Sequence, residues 1–264
     1  MTRKTVGICV LLLGVLLGTS SSAYADAVAL TSITVSNFQI TPTAGTIVFL
    51  GPQFGSRTVA TATASNTAST GLFEETANIQ SSATRADAST NITFASASAV
   101  SDFPNLFLSA NATASLSGCS CTATAEGVAA LHETFMITGG TGNVDVTVSA
   151  LVQTVQDLVT DQLSLFAGSD IDIDLLVAGV TVFSFDPRLN IAFLDSQNFE
   201  TQRQLSQILT LQFGQQYNLD LFIRANSRAA QNEVPEPATV VMLVSGLGFM
   251  AGFVKKRRSA GKTL

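Results

Sequence analysis

The 264-residue chain contains no tryptophan, one histidine, three cysteines, and lysine only within its first and last ten residues. Each scarcity removes a class of chemistry. A single imidazole, His132, cannot build a His-rich metal site. A Ser-His-Asp triad would have to use His132, and no G-x-S-x-G elbow marks a serine to partner it. The run Leu131-His132-Glu133 opens like a zinc-protease helix, yet Met136 stands where the second histidine is required. His132 therefore reads as an ordinary strand residue. Without lysine between residues 26 and 234, Schiff-base chemistry and lysine-held phosphates also drop out. Sugar rings stack on aromatic faces, and Tyr217 is the sole tyrosine downstream of Tyr24. The composition excludes most catalytic designs, and the expectation is a protein without enzymatic activity.

Charge is scarce as well. Charged residues are 12% of the chain against about 25% in an average soluble domain, while 46% are hydrophobic. That balance describes a folded body rather than a self-repelling, disordered one. Between residues 26 and 234 stand six arginines and eighteen acids, a net charge of -12. Nucleic-acid binding rests on cationic side chains that neutralise phosphates, so no nucleic-acid partner is expected.

What is present reads as β structure. Ser32 to Ile40 alternates apolar and polar positions with a break at Asn37, and Thr46 to Leu50 is a β-branched run ended by Gly51-Pro52. Further strand candidates are Thr58 to Ser65, Asn91 to Val100, Asp170 to Phe185, Leu205 to Phe213 and Gln216 to Ala225. Phe135 to Thr138, the turn Gly139-Gly140-Thr141-Gly142 and Asn143 to Leu151 read as a hairpin, with Val144, Val146 and Val148 on one face. Leu151 to Phe166 fits a helix as well as a strand. The Ala-, Thr- and Ser-rich stretch from Thr58 to Ala130 reads as thin strands of small residues, because threonine forms strands and the alternation persists. Short strands punctuated by turns predict a mainly β fold, an antiparallel β-sandwich or jelly roll, in one domain over residues 26–230.

Two clusters in that body could bind or cross-link. Cys119 and Cys121 sit two apart in an exported chain and are disulfide candidates, either local or between molecules. Asp170, Asp172 and Asp174 alternate with Ile171, Ile173 and Leu175, which puts three carboxylates on one face of a strand. The run opens like a calcium loop, but Leu175 and Thr181 occupy the glycine and glutamate positions of an EF-hand. A solvated acidic face is the plain reading and a calcium site the sharper one, with Asp157 and Asp161 as candidate neighbours.

The two ends carry addresses. Arg3 and Lys4 precede an apolar stretch from Val6 to Leu17, and Ala23-Tyr24-Ala25 fits a small-x-small cleavage site. Residues 1–25 thus read as a signal peptide, engaging the secretion machinery and leaving Asp26 as the first mature residue. At the other end Val234, Pro235, Glu236 and Pro237 precede 17 uncharged residues, 238–254, followed by Lys255, Lys256, Arg257 and Arg258. A helix of that length spans about 26 Å, the lower limit for crossing the hydrocarbon core. The basic cluster anchors its far end in the cytoplasm, with residues 259–264 as a short cytoplasmic tail.

This tripartite tail resembles the PEP-CTERM sorting signal of Gram-negative bacteria, over residues 234–258 only. The resemblance implies recognition of Pro-Glu-Pro by an exosortase, a membrane protease that processes its substrates in or near that motif. It further implies an inner-membrane-tethered precursor destined for the cell surface, exopolysaccharide or biofilm matrix. The expectation is a structural surface component. The alternative is a calcium-dependent polysaccharide-binding module using Asp170, Asp172 and Asp174.

Overall fold

Period-two alternation of small or branched residues with Ser, Thr, Asn and Gln runs almost without interruption through the chain, and it is realised as strand. The structure, a computed structural model, describes residues 26–51, 57–68, 73–103, 105–117, 121–161, 165–192 and 195–231. Its strands are β1 (Asp26–Pro42), β2 (Thr46–Phe49), β3 (Arg57–Ala68), β4 (Phe73–Ser82), β5 (Arg85–Ile92), β6 (Ala95–Asp102) and β7 (Phe107–Ser117). They continue with β8 (Cys121–Thr138), β9 (Asn143–Thr160), β10 (Leu165–Val177), β11 (Val180–Phe185), β12 (Arg188–Ala192), β13 (Ser196–Gln212) and β14 (Gln216–Gln231). All pairings are antiparallel. No helix occurs among the described residues.

Two sheets pack face to face, as a β-sandwich. The first has the order β13-β9-β1-β7-β6-β5, and the second β11-β10-β14-β8-β3-β4, with β12 and β2 added beside β10 and β8. Long strands dominate, since β1, β8, β9, β13 and β14 each hold 16 to 18 residues.

The core between the sheets has two zones. One is filled by Leu131, Phe135, Ile137, Ile171, Ile173 and Leu175 with their neighbours on β9 and β14, all buried. The other is lined by alanine: Ala60 and Ala62 on β3, Ala97 and Ala99 on β6, Ala110 and Ala112 on β7, Ala123 and Ala125 on β8. A methyl group fills little space, so the backbones close in. A Cβ placed on Gly127 of β8 would lie 2.6 Å from the carbonyl oxygen of Ser98 and 2.7 Å from that of Asn111, both in the opposite sheet. Facing sheets ordinarily stand about 10 Å apart with side chains between them. Here backbone meets backbone.

Beside the alanine zone a buried polar cluster links the sheets. Thr31 Oγ1 on β1 sits 2.6 Å from Ser169 Oγ on β10, 2.7 Å from Ser227 Oγ on β14 and 2.9 Å from the carbonyl oxygen of Asn226. Gln156 Nε2 on β9 donates to Ser169 Oγ at 2.9 Å and to its carbonyl at 3.1 Å, and Ser227 Oγ donates to the Ala112 carbonyl at 2.9 Å. Four strands contribute side chains and a fifth, β7, the Ala112 carbonyl, so strands from both layers share one hydrogen-bonded set in which every polar side chain finds partners.

Several sequence expectations change. The run 151–166 is strand through Thr160, because β9 needs the whole length to pair with both β1 and β13. The glycine-rich segment 139–142 is no hairpin: β8 lies in the second sheet and β9 in the first, so this turn carries the chain between layers. Gly139 and Gly142 adopt φ of 90° and 79°, and a Cβ on Gly140 would strike the Phe213 ring at 2.5 Å. A glycine turn serves either topology, and side-chain alternation cannot tell them apart. Asn91–Val100 divides at a two-residue turn, Thr93-Phe94, into β5 and β6. Asp170–Phe185 divides at Ala178-Gly179, both at positive φ, into β10 and β11.

Two substitutions test these contacts by thermal or chemical denaturation of the full chain. Gly127→Ala is expected to lose about 2–3 kcal/mol or more, because the clash is with backbone that cannot step aside. Thr31→Val keeps the shape but strands its neighbours' polar groups, and is expected to lose about 1–3 kcal/mol.

Candidate functional site

The Asp170 to Asp174 run sits on β10, between β14 on one edge and β11 with β12 on the other. Alternation does what the sequence implies: Ile171, Ile173 and Leu175 are fully buried, and the three aspartates point outward. The cross-strand neighbours, invisible in the local sequence, are arginines. Asp172 pairs in register with Arg224 of β14, and their side chains approach to 3.5 Å. Asp170 pairs with Arg188 of β12, at 3.8 Å, and the same guanidinium lies 3.8 Å from Asp186. The acidic face is a mixed-charge ladder.

That arrangement does not gather a metal site. Carboxylates two residues apart on one strand are spaced about 6.5–7 Å along it, and converging ligands must come from neighbouring strands. Among the described residues no group of three or more His, Cys, Asp or Glu side chains is placed to hold a metal ion. Asp157 and Asp161 are no neighbours of the run. Asp157 faces outward from β9 in the first sheet, on the opposite side of the sandwich, and Asp161 accepts the Asp26 backbone N–H at 2.7 Å.

His132 lies on the outer face of β8, directly across from Asp220 of β14, and its Nδ1 hydrogen-bonds the Asp220 carboxylate. The two are 88 residues apart in sequence, so only the strand register reveals the pair. With Arg57, Asp174 and Phe222 they line a shallow recess of about 210 Å³. A second recess, of about 380 Å³, lies further along the same face and includes Asp170, Asn190 and Arg228. Tyr217 offers no sugar platform: its ring packs 5.8 Å from that of Phe135, and its hydroxyl accepts the Gln212 N–H at 2.8 Å. Cys121 is buried at the start of β8 and disulfide-bonded, and Cys119 lies outside the described residues. So do Ala23, Ala25, Val234, Pro235, Glu236, Pro237, the 238–254 stretch and the basic cluster Lys255–Arg258.

The ladder has an electrostatic imbalance. Burial holds the Asp172 carboxyl above its ordinary value; Arg224 pulls it down, while Asp174 and Asp186 push it up. A raised value means that the folded protein holds this proton more tightly than the unfolded chain. The stabilisation is complete below the ordinary carboxylate range and is lost as pH rises through the raised value. Asp172→Asn is therefore expected to melt slightly higher than wild type at neutral pH. That advantage should vanish in acid, where Asp172 is itself protonated; melting curves at pH 7 and pH 3 provide the check.

β14 is the last described strand, and it lies inside the second sheet, paired along one edge with β10 and along the other with β8. Its final residue, Gln231, stands two positions before the stretch with a recognisable relative. No curated protein and no solved structure matches the chain. The family model of the PEP-CTERM protein-sorting motif matches residues 233–258, so the chain carries that sorting signal directly after its last described strand, and with it the marks of export and processing by an exosortase-type membrane enzyme.

Proposed function

We propose that this protein is a structural component of the bacterial surface or exopolysaccharide matrix. It is held at the inner membrane as a precursor and handed to its destination by an exosortase-type protease acting at or near Val234-Pro235-Glu236-Pro237. The observation that carries this reading is the sorting motif at 233–258, placed immediately after the central strand β14. Two prolines around Glu236 disfavour helix and leave an extended segment of the kind a protease binds.

Three features of the body support it. Asp170 and Asp172 of β10 stand beside arginines and the sole histidine is engaged with Asp220, so these groups of the second sheet's outer face already have partners within the protein. The outer face of the first sheet carries a strip of amide and hydroxyl groups in which Asn111 hydrogen-bonds Ser32, Ser98 and Ser109 across β1, β7 and β6. The start of β1 also suits export. Cleavage after Ala25 would leave the mature amino group on Asp26, whose nitrogen already lies 2.7 Å from Asp161 Oδ1.

The test uses the full chain in a host that supplies an exosortase-type protease. Replacing Pro235, Glu236 and Pro237 with alanine is expected to leave an unprocessed precursor in the inner-membrane fraction and to deplete the surface and matrix fractions. A processed form of unchanged size and yield would overturn the assignment, as would a mature protein found with neither surface nor matrix.

A further inference from the structure

The free edges of the two sheets are treated very differently. On one side of the sandwich the edge strands β4 and β5 are consecutive in the chain, and Asn78 Nδ2 of β4 donates to the Ser89 carbonyl of β5 at 3.1 Å. That side is drawn closed. The far edge of the second sheet is broken into β11 and β12, of six and five residues, with Asp186, Pro187 and Arg188 at the break. Short pieces, proline and charge are the usual protections of an exposed edge. β13 is neither short nor interrupted by proline, and it carries little charge. It runs 17 residues without proline or glycine, its only charges are Glu200 and Arg203, and its register with β9 is unbroken from Ser196 to Gln212.

The orientation of its backbone is fixed at one end. Phe213 N–H donates to the Gly142 carbonyl, on the β9 side, at 3.0 Å, and Gln212 N–H turns the opposite way to the Tyr217 hydroxyl at 2.8 Å. Strand alternation then points the N–H and C=O groups of the even-numbered residues from 198 to 210 away from β9. These residues also carry the outward side chains, including Gln202, Gln204, Ser206 and Ile208, the last 67% exposed.

We propose that this edge is a homotypic docking strand. Two copies of the chain pair their β13 strands antiparallel about a two-fold axis and join their first sheets into one continuous sheet. Charge selects a second copy. The body is strongly acidic, so most approaches between copies bring like charges together. Along β13 the outward row is mostly Gln, Ser, Asn and Thr with Glu200 as its one charge, and an antiparallel two-fold centred near Gln204 keeps the two Glu200 side chains far apart, so the rows meet with little repulsion. A two-fold makes the interface self-complementary, with even-numbered residues facing even-numbered residues and exchanging main-chain hydrogen bonds. This inference goes beyond the sorting assignment and does not depend on it.

The experiment introduces single cysteines at Gln202, Gln204, Ser206 and Ile208 of the full chain in exporting cells, with mild oxidation in place. A cysteine at Ser98, on the outer face of the same sheet but three strands inward from β9, is the control. Covalent dimers are expected from β13, strongest at one position and falling off on either side, and not from Ser98. Ser206→Pro removes a free-edge N–H without touching the ladder to β9, so it should abolish the dimers while the melting temperature stays within a few degrees. Absence of dimers from all four positions overturns the proposal. So do equal dimers from Ser98, dimers that survive Ser206→Pro, and adducts only to chains of other sizes. Failure of sorting would appear separately, as a change in the size and fraction of the monomer band.

Discussion

The separation of the two sheets is the quantity on which the rest of this structure depends. Alanine on both facing layers brings β8 so close to β6 and β7 that Gly127 has no room for a methyl group. Close approach has a cost in driving force, because a buried methyl contributes only about 0.8 kcal/mol, well below a leucine or phenylalanine. Two other features offset it. Strands of 16 to 18 residues multiply the ladder hydrogen bonds per strand. The Thr31, Gln156, Ser169 and Ser227 cluster, which needs short reach between layers, ties four strands at one point. Serine and threonine could not bridge two sheets held apart by leucines, so the hydroxyl network and the alanine packing require each other.

The same geometry decides how the chain is held at its C-terminal end. β14 is interior to the second sheet, and its ladders to β10 and β8 run nearly its whole length. Ser227, two turns of the pleat from its end, belongs to the polar cluster that also reaches the first sheet. Tension applied beyond Gln231 would therefore load two antiparallel ladders and the inter-sheet cluster together, along the strand direction. A terminal strand at a sheet edge would give way one bond at a time. For a chain whose sorting signal follows at residue 233, an interior final strand is the mechanically sound choice.

Much of this was legible in the sequence, and the limits follow a pattern. The strand content, the burial of Val144, Val146 and Val148, and the two faces of the Asp170 to Leu175 run all follow from period-two alternation, which is a local property. The thin alanine strands were legible for the same reason. Partners across a ladder are not local. The bond from His132 to Asp220 and the approach of Arg224 to Asp172 depend on register between segments far apart in the chain, and no spacing rule encodes them. The misread turn at 139–142 has a similar cause, since glycine permits the left-handed backbone of both a hairpin and a crossing between layers. A calcium site seemed open because three carboxylates shared a face, whereas the arginines that occupy that face come from β12 and β14. The sorting signal was legible outright, because its recognition rests on an ordered linear motif.

The distribution of charge over the body then has a single physical reading. Cations are few, and four of the six arginines in this stretch are spent beside carboxylates or an aromatic ring: Arg85 on Asp87 and Asp102, Arg188 on Asp170 and Asp186, Arg224 on Asp172, Arg203 over Phe185 at 5.1 Å. At Asp102 burial alone would raise the carboxyl, but hydrogen bonds from Asn105 and Arg85 outweigh it and hold it below its ordinary value, which fixes the corner where β6 gives way to β7. With the cations so engaged, the surplus of acid stands over the surface as a whole and keeps copies apart in most orientations. The β13 edge is the exception, rich in amide and hydroxyl groups with Glu200 as the one charge on its outward row. General repulsion joined to one weakly charged edge would favour contact between molecules in one geometry, the condition that separates ordered association from the indiscriminate stacking that flat, uncharged sheets invite.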